Sequence, residues 1–374
     1  MNPKNIVPSL LAWFAHNARD LPWRRTRDPY AIWVSEIMLQ QTQVKTVLPY
    51  WERWMRVLPD LGALAKAKPD RLHKLWEGLG YYTRVRNLQQ AARIIGEEHS
   101  GQIPEDFDDL LALPGIGRYT AGAICSIAFN QPKPILDGNV IRVLARLYGI
   151  AGDPREPKTN ARLWQIAEEL VRQAAKVEAK PEMSPHLTQA RRRKSSGAGP
   201  GACSCFNQSL MELGALICTP REPRCGICPI AKRCVAYREN RILDLPHAGR
   251  RIRATPRRFV AFVAERYGRW LVRQRPAGVV NAHLWEFPNL ELSPDDSDLE
   301  RAVRRVLKIR PERLERLGIV KHSITRYRIT LEAYRVVSDH GTKISAGNGR
   351  WLDRKQLGLL AFTSAHGRIL RRLV

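Results

Sequence analysis

The stretch Leu113-Pro114-Gly115-Ile116-Gly117-Arg118-Tyr119-Thr120 lies between two apolar segments with helical spacing. Its two glycines, Gly115 and Gly117, allow a tight turn with exposed backbone N–H groups, and the helix that follows adds the positive end of its dipole. Such a turn can hold a phosphate group. A G-x-G pattern alone is more often a plain turn between two helices, so the composition of the chain has to decide between the two interpretations.

The composition favours the phosphate site. The chain has 374 residues, with 62 Lys and Arg against 36 Asp and Glu, which gives a net charge of +26. This charge indicates a polyanionic partner, nucleic acid first and an anionic membrane surface second. An apolar fraction of 44% excludes a wholly disordered chain. No apolar run approaches the roughly 20 residues that span a bilayer. We therefore interpret the stretch as a helix–hairpin–helix that grips one DNA backbone.

The pattern of the chain changes twice. At about 150 residues per domain, its length predicts two or three domains. Residues 5 to about 180 show helical spacing with Pro and Gly punctuation, and helical spacing resumes at Phe206. From residue 256 onward strand-like runs alternate with helices, beginning with a hairpin around Tyr267-Gly268. The sequence thus predicts a helical region followed by a separate α/β unit.

Two segments bear on location and flexibility. Residues 179–204 are polar, basic and of low complexity, which predicts a mobile insert. The apolar run Ile6 to Ala15 predicts an amphipathic helix and no signal peptide, because no cleavage site follows it. We therefore expect a cytoplasmic protein with reduced thiols.

Four cysteines near the middle of the chain have the spacing C-x6-C-x2-C-x5-C: Cys218, Cys225, Cys228 and Cys234. Four thiolates on short loops suit a tetrahedral metal ion or an iron–sulfur cube, and the thiolates alone do not choose between zinc and [4Fe–4S]. Cys203 and Cys205 fall in the predicted insert and are interpreted as bystanders. Cys125, in an apolar helix, is interpreted as a core residue.

Glu36 is the first candidate catalytic carboxylate. Asp28-Pro29 caps a predicted helix, and Glu36 lies at the edge of its apolar stripe beside Trp33. A glutamate at an apolar edge is partly desolvated, which is expected to raise its pKa and to let it act as a proton donor. The alternative is an ordinary solvated helix glutamate.

Asp137 is the second candidate. It stands in Ile135-Leu136-Asp137-Gly138-Asn139, just before a helix, so a plain N-cap is the alternative interpretation. A carboxylate at a helix start is expected to have a lowered pKa and to stay ionised. One neutral acid and one fixed anion are what cleavage of a glycosidic bond through a cationic transition state requires.

The order of several motifs along the chain adds a family resemblance. They are Leu-Pro-Trp at 21–23, Val-Ser-Glu-Ile-Met-Leu-Gln-Gln-Thr-Gln at 34–43, Gly-Leu-Gly-Tyr-Tyr at 78–82, the hairpin at 113–120, Ile-Leu-Asp-Gly-Asn-Val at 135–140, Phe-Asn-Gln at 206–208 and the four cysteines. Over nearly its whole length the chain resembles the adenine DNA glycosylases of the MutY type, within the helix–hairpin–helix superfamily. The resemblance implies an all-α, two-lobed glycosylase region with a [4Fe–4S] module over 1–235, a basic connector over 236–255 and a Nudix-like α/β domain over 256–374.

The same resemblance implies roles for individual residues. Glu36 would protonate the extruded adenine, and Asp137 would stabilise the sugar cation, with support from Asn139 and Tyr119. Tyr81 would wedge into the duplex, and the backbone of Gly115 and Gly117 would contact it. The residues that would line or border the adenine pocket are Arg24, Leu39, Gln41, Thr42 and Gln208. The four cysteines would hold one [4Fe–4S] cluster.

Departures from related families refine the expected activity. The endonuclease III group has a nucleophilic Lys at the position of Tyr119, so we expect a monofunctional glycosylase that leaves an abasic site. The loop that reads the oxidised guanine corresponds to His322-Ser323-Ile324-Thr325-Arg326, in which Thr325 takes the place of a Ser hydroxyl. The acidic helix of Nudix hydrolases is absent, so we expect no nucleotide hydrolysis.

The predicted partner is double-stranded DNA with adenine opposite 8-oxoguanine or G, bound by a bacterial, nucleoid-associated monomer. Three alternatives remain open from the sequence: an endonuclease III-like enzyme acting on damaged pyrimidines, a non-catalytic DNA-binding module with a zinc staple, and a Nudix-type hydrolase.

Overall fold

The structure is a computed structural model that describes residues 6–177, 201–247, 249, 254–293, 296, 298–324, 326–339, 344 and 347–373. These residues fall into two compact units. One is drawn from Met1–Ala65 and Asn87–Arg251, the other from Lys66–Arg86 and Ile252–Val374. The predicted helical region and α/β region are both present.

The helices up to residue 238 confirm the predicted helical spacing. Three of them, α4, α5 and α6, lie wholly or partly within the segment 66–86. They are α1 (Ile6–Asn17), α2 (Pro29–Leu39), α3 (Val44–Val57), α4 (Leu61–Lys66), α5 (Pro69–Trp76), α6 (Thr83–Glu98), α7 (Phe107–Ala112), α8 (Arg118–Ile127), α9 (Gly138–Tyr148), α10 (Pro157–Ala174), α11 (Ala202–Leu216) and α12 (Val235–Arg238). Short 3-10 turns cover Pro22–Arg24, Cys225–Ile227 and Ala231–Arg233.

Helix α2 is the central helix of the first unit. Asp28 caps it by accepting a hydrogen bond from the Tyr30 N–H, and Pro29 occupies its first turn, as predicted. Every residue from Tyr30 to Met38 is buried. A helix that is apolar on all sides belongs inside a protein, so Glu36 is carried into the interior and not to the edge of a stripe.

Helix α11 corrects one sequence prediction. The helix begins at Ala202, four residues before the predicted resumption at Phe206, and residues 201–204 are buried and not part of a polar insert. Cys203 and Cys205 are core residues of this helix. The start of this helix was not predicted, because the glycine and serine residues around it give the segment a composition typical of loops. The rest of the predicted insert, 178–200, lies outside the described residues.

The second unit is built on a sheet of seven strands among the described residues. They are β1 (Thr255–Arg266), β2 (Arg269–Gln274), β3 (Trp285–Glu286), β4 (Asn289–Leu292), β5 (Arg313–Ile324), β6 (Tyr327–Val337) and β7 (Arg350–Asp353). The order is β3-β2-β1-β6-β5, with β4 also paired to β1 and β7 to β2. The β1–β6 pair is parallel and the other pairs are antiparallel. A mixed sheet of this kind is an α/β unit, as predicted.

The predicted hairpin is present. Strands β1 and β2 are joined by Tyr267 and Gly268, both with positive φ, at 51° and 67°. Two consecutive residues with positive φ form the turn whose twist suits a two-residue hairpin. Helices of this unit are α13 (Leu299–Leu307), α14 (Arg354–Gly358) and α15 (Ser364–Leu373).

Residues 66–86 pack with the sheet unit, although the sequence places them in the helical region. Glu77 accepts a hydrogen bond from the Phe362 N–H at 2.9 Å, and Lys74 donates to the Leu360 carbonyl at 3.0 Å. No described helix has both the length and the apolar character that crossing a membrane requires.

Candidate active site

Several separate segments of the first unit line one cavity of about 800 Å³, and three of them carry the candidate catalytic residues. Helix α2 contributes Glu36, helix α8 contributes Tyr119, and the N-terminus of α9 contributes Asp137. These residues are far apart in sequence. Their meeting in one cavity is the arrangement that the candidate catalytic pair needs.

Glu36 is buried, with 5% of its surface exposed. Burial raises its pKa to about 7, and the nearby charge of Asp137 adds to the rise, while the hydrogen bond from Tyr119 and the charge of Arg24 act in the opposite direction. The predicted raised pKa is therefore confirmed, through deep burial. A carboxyl group with this pKa holds a substantial proton population at neutral pH and can act as a general acid.

Tyr119 holds the carboxyl group of Glu36 in place. Its hydroxyl donates a hydrogen bond to Glu36 Oε2 at 2.6 Å and lies 3.4 Å from Met211 Sδ. Burial raises the pKa of Tyr119 well above its usual value, with the charges of Glu36 and Asp137 acting in the same direction. The phenol is therefore a fixed hydrogen-bond donor.

Asp137 is both an N-cap and a cavity residue, so the two interpretations of the sequence hold together. Its Oδ1 accepts the Val140 N–H at 2.8 Å, and its Oδ2 accepts the Asn139 side-chain amide at 3.0 Å. The predicted lowering of its pKa is wrong: burial raises the pKa of Asp137, although both hydrogen bonds lower it. The helix start was visible in the sequence, and the depth of the cavity was not.

The pocket residues implied by the resemblance also line this cavity. They are Arg24, Leu39, Gln41, Thr42 and Gln208, and Asn139, expected to support the catalytic residues, lines the cavity with them. Gln41 adopts a positive φ of 58°, which is uncommon for a residue with a side chain. The cavity therefore gathers apolar, amide, hydroxyl and guanidinium groups around the two carboxyls.

The hairpin glycines lie apart from the residues that line the cavity. Gly115 and Gly117 are both exposed, before the N-terminus of α8. Gly115 has a φ of +79°, and a Cβ there would stand 2.6 Å from Asn87 Cβ, whereas a Cβ at Gly117 would meet nothing within 4 Å. The structure therefore requires glycine at the first position only.

Tyr81 belongs to the second unit. Its side chain is 50% exposed and its φ is +47°. The guanidinium of Arg84 lies over the rings of both Tyr81 and Trp76, and it donates hydrogen bonds to the carbonyls of Leu79 and Gly80. The exposed ring is thus presented on a braced loop. Thr325 lies outside the described residues.

The four spaced cysteines line one small, largely apolar cavity together with Arg146 and Ile230. Within the described ranges, no group of three or more His, Cys, Asp or Glu side chains has the arrangement that holds a metal ion. The donors are all thiols and they surround a common space, which is compatible with a group larger than one ion. Arg146 lies against this cavity and donates to Cys218 Sγ at 3.4 Å and to the Thr219 carbonyl at 2.7 Å.

Sequence reasoning missed Arg19, Glu212 and Arg142. Glu212 is completely buried and binds both Arg19 and Arg24. A usable signal was present, because Glu212 is a charged residue within the apolar run Leu210 to Leu216. Arg142 donates to the Asn139 side chain at 2.8 Å and to the Cys218 carbonyl at 2.6 Å, so it links the start of α9 to the cysteine loop.

Sequence comparison agrees with this geometry. The pattern of the HhH-GPD superfamily of base excision DNA repair proteins matches residues 34–169, and that of the NUDIX domain matches 259–372. The adenine DNA glycosylase of Mus musculus is 34% identical over 97% of this chain and 76% of its own length. The chain belongs to the adenine DNA glycosylase family.

Other relatives of this glycosylase agree. The adenine DNA glycosylase of Buchnera aphidicola subsp. Schizaphis graminum is 40% identical over 63% of this chain and 61% of its own length. A solved structure described as a thermostable thymine-DNA glycosylase matches with 28% identity and a TM-score of 0.52, over 63% of this chain and 97% of its own. The helical glycosylase fold and the Nudix-like fold of the C-terminal part are therefore both established.

Proposed function

We propose that this glycosylase removes adenine paired with 8-oxoguanine or with G, and leaves an abasic site. The observation that carries the proposal is the meeting of Glu36, Tyr119 and Asp137 in one cavity, with a pKa of about 7 for Glu36. The adenine must first leave the helix stack, because none of these groups can reach it inside a duplex. A mispaired adenine opens at lower cost, which contributes to selectivity.

Proton transfer from Glu36 is the proposed first chemical step. Adenine is a poor leaving group as an anion. When the Glu36 carboxyl transfers its proton to a ring nitrogen, the N-glycosidic bond can break and its electron pair stays with neutral adenine. Tyr119 keeps the carboxyl group in position during this transfer. General-acid catalysis of this kind contributes about 10²–10⁴ in rate.

Asp137 faces the positive charge that develops on the sugar. Its two oxygens accept hydrogen bonds from the Val140 N–H and from Asn139, and both bonds favour the anion. A fixed anion stabilises an oxocarbenium-like sugar cation. Water then adds to the sugar carbon, its proton passes to solvent, and the Glu36 carboxylate takes up a proton from solvent, which completes the hydrolysis and restores the acid.

The remaining cavity residues suit a purine ring. Arg24, Gln41, Thr42 and Gln208 supply polar groups, and Leu39 supplies an apolar surface. In this proposal they hold the extruded adenine. Tyr81 wedges into the stack, the hairpin of Gly115 and Gly117 grips a phosphate, and Thr325 contributes to reading the oxidised guanine.

The enzyme is proposed to be monofunctional because the hairpin carries Tyr119 in place of an amine. Exposed Lys45 also lines the cavity. Borohydride trapping on abasic DNA therefore compares the wild type with Lys45→Gln. Strong trapping of the wild type with rapid strand cleavage would refute the proposal, and loss of that trapping in the variant would identify Lys45 as the nucleophile.

Single-turnover release of adenine tests the main proposal. Duplexes carry adenine opposite 8-oxoguanine, G or T, and thymine glycol serves as the pyrimidine substrate of the rival endonuclease III-like function. The wild type is compared with Glu36→Gln and with a matched control, Glu52→Gln, which alters an exposed glutamate. We expect release opposite 8-oxoguanine and G, a loss of about 10²-fold or more in Glu36→Gln, and wild-type rates in the control. Full activity of Glu36→Gln, or preference for thymine glycol, would contradict the proposal.

We further propose that Cys218, Cys225, Cys228 and Cys234 hold one [4Fe–4S] cluster. The four thiols line one cavity, and glycosylases of this type commonly carry an iron–sulfur cluster, which favours a cluster over zinc. The cluster would cross-link the loop between α11 and α12. Iron and sulfide analysis with the visible spectrum tests this: about four irons per chain and a brown colour support the cluster, and one zinc per chain refutes it.

The Nudix-like unit is proposed to bind DNA and not to hydrolyse nucleotides. Its first helix, α13, carries Glu300 but also Arg301, Arg304 and Arg305, so it is basic and lacks a cluster of carboxylates for a divalent metal ion. Incubation with nucleoside triphosphates and Mg²⁺ should release no pyrophosphate.

A further inference from the structure

Glu212 occupies an unusual position in the wall of the candidate catalytic cavity. It lies on α11, lines the cavity, and has 1% of its side chain exposed. Its carboxylate accepts four hydrogen bonds: the Arg19 N–H at 2.9 Å, Arg19 Nε at 2.8 Å, Arg19 Nη2 at 2.7 Å and Arg24 Nη2 at 2.9 Å. None of the steps proposed above uses this residue.

The hydrogen bonds keep Glu212 ionised in spite of its burial. Burial alone raises the pKa of Glu212, but the bonds from Arg19 and Arg24 outweigh burial and hold the pKa at about 2. A fixed negative charge therefore stands next to the guanidinium of Arg24 throughout the neutral pH range.

Arg24 needs this partner because it stands near a proton donor. Its side chain is 9% exposed, and a second contact, from its Nη1 to the Arg19 carbonyl at 3.1 Å, fixes its plane. Its positive charge lowers the pKa of Glu36. An unbalanced cation at this place would favour the ionised form of Glu36, which cannot protonate adenine.

The charged and titratable groups around Glu36 come from several different structural elements. Tyr119 faces it from α8, Asp137 from the start of α9 and Arg24 from the 3-10 turn, while Arg19, Lys45 and Glu212 line the same cavity. Tyr119 and Arg24 act to lower the pKa of Glu36, and Asp137 acts to raise it. Glu212 is the carboxylate that pairs directly with two of the cations in this set, Arg19 and Arg24.

We propose that Glu212 is a positioning residue for adenine excision: it fixes the Arg24 guanidinium in the cavity wall and balances its charge, so that Glu36 keeps its proton. This inference rests on the proposed function, in which Glu36 is the acid. It assigns Arg24 the task of holding the purine without weakening the proton donor beside it. The alternative is that Glu212 only ties the segment around Arg19 to α11.

The pH dependence of single-turnover adenine release separates these two roles. Glu212→Gln keeps the shape of the side chain and removes its charge. We expect the midpoint of the alkaline decline to fall by about one pH unit. The loss of rate should therefore be about tenfold larger at pH 8 than at pH 5.5. A merely structural role would lower the unfolding temperature and leave the midpoint unchanged.

Three further variants keep the test decisive. Glu212→Asp retains the charge and should restore the wild-type midpoint even where stability is lost. In the double variant Glu212→Gln/Arg24→Gln the midpoint should return towards wild type, because both charges are gone. Arg24→Gln alone should raise the midpoint. If Glu212→Gln does not fold, an unshifted midpoint in Arg24→Gln overturns the inference, because Glu36 then does not sense Arg24.

A direct titration distinguishes failure of this inference from failure of the proposed function. Infrared difference spectra of the free protein follow Glu36, identified by its loss in Glu36→Gln. If the wild type releases no adenine, the proposed function fails, and the infrared titration still reports whether Glu212→Gln shifts Glu36. If the wild type is active and neither the kinetic nor the infrared midpoint moves in Glu212→Gln, only the inference fails.

Discussion

At the scale of single residues, the site depends on a carboxyl group that burial keeps protonated. Glu36 lies on a helix whose other residues from Tyr30 to Met38 are also buried. The same burial that raises its pKa to about 7 also makes its ionised form unfavourable in the folded state. Catalytic competence and stability therefore oppose each other at this position.

This opposition predicts a pH-dependent stability. The pKa of Glu36 rises from 4.5 in the unfolded chain to about 7 on folding. The stability that protonated Glu36 gives the folded state is therefore fully present below pH 4.5, and it is lost as the pH rises through 7. Glu36→Gln cannot titrate. We expect the variant to gain stability over wild type between pH 5 and pH 8, by up to about 3 kcal/mol. Unfolding midpoints measured across this range check it, with Glu52→Gln as the control. Parallel curves for wild type and Glu36→Gln would count against it.

For Tyr119→Phe we expect the alkaline midpoint of adenine release to shift in the direction opposite to that expected for Glu212→Gln. Its hydroxyl hydrogen bond lowers the pKa of Glu36. Tyr119→Phe removes that bond, so the alkaline midpoint of the single-turnover profile should rise by about one pH unit. A midpoint that moves to lower pH, as expected for Glu212→Gln, would contradict the prediction that the Tyr119 hydrogen bond lowers the pKa of Glu36.

At the scale of elements, helix starts supply the site's polar groups. Helix α9 begins directly after Asp137, and α8 begins directly after Gly117. N-terminal N–H groups of a helix have no partner within it. They are available to a carboxylate at α9, and in the proposed function to a DNA phosphate at α8.

The hairpin allows a matched pair of glycine variants. Gly115→Ala forces a side chain into a φ of +79° and against Asn87, whereas Gly117→Ala meets open space. We expect a loss of about 2–4 kcal/mol in unfolding free energy for the first. The second loses at most about 1 kcal/mol, since only a good N-cap residue is replaced. Urea unfolding measures both, and equal losses would mean that the hairpin backbone differs from the one described.

Secondary structure was largely predictable, for a local reason. Hydrophobic periodicity and turn-forming residues can be recognised from residues that are close together in sequence. They predicted the cap at Asp28, the apolar stripe of α9 and the hairpin at Tyr267-Gly268. The start of α11 at Ala202 was not predictable in this way. Its first residues are buried by tertiary packing, which overrides a loop-like composition.

At the scale of the whole molecule, the excess of positive charge predicts the salt dependence of DNA binding. A chain with a net charge of +26 binds duplex DNA largely by releasing counterions. With about six phosphate contacts, affinity for undamaged duplex should fall roughly 10³-fold between 50 and 200 mM salt. The single-turnover rate at saturating DNA should change little, because salt screens the buried carboxyls of Glu36 and Asp137 much less than it screens exposed charges. Fluorescence anisotropy gives the slope, and a salt-independent affinity would rule out this mode of binding.

The path of the chain through the two units was beyond sequence reasoning. Residues 66–86 have helical spacing like their neighbours, yet Glu77 bonds to the backbone at Phe362. Contacts between residues so far apart leave no periodic trace in either segment.

The sequence by itself determined the elements, the two kinds of unit and the identities of the candidate residues, because helical period, caps and motif order are local. Only the tertiary structure decided that Glu36, Tyr119 and Asp137 share a cavity, that burial raises the pKa of both carboxyls, and that Glu212 pairs with Arg24. A pKa depends on the charges and solvent around a group in three dimensions, and distance along the chain does not specify either.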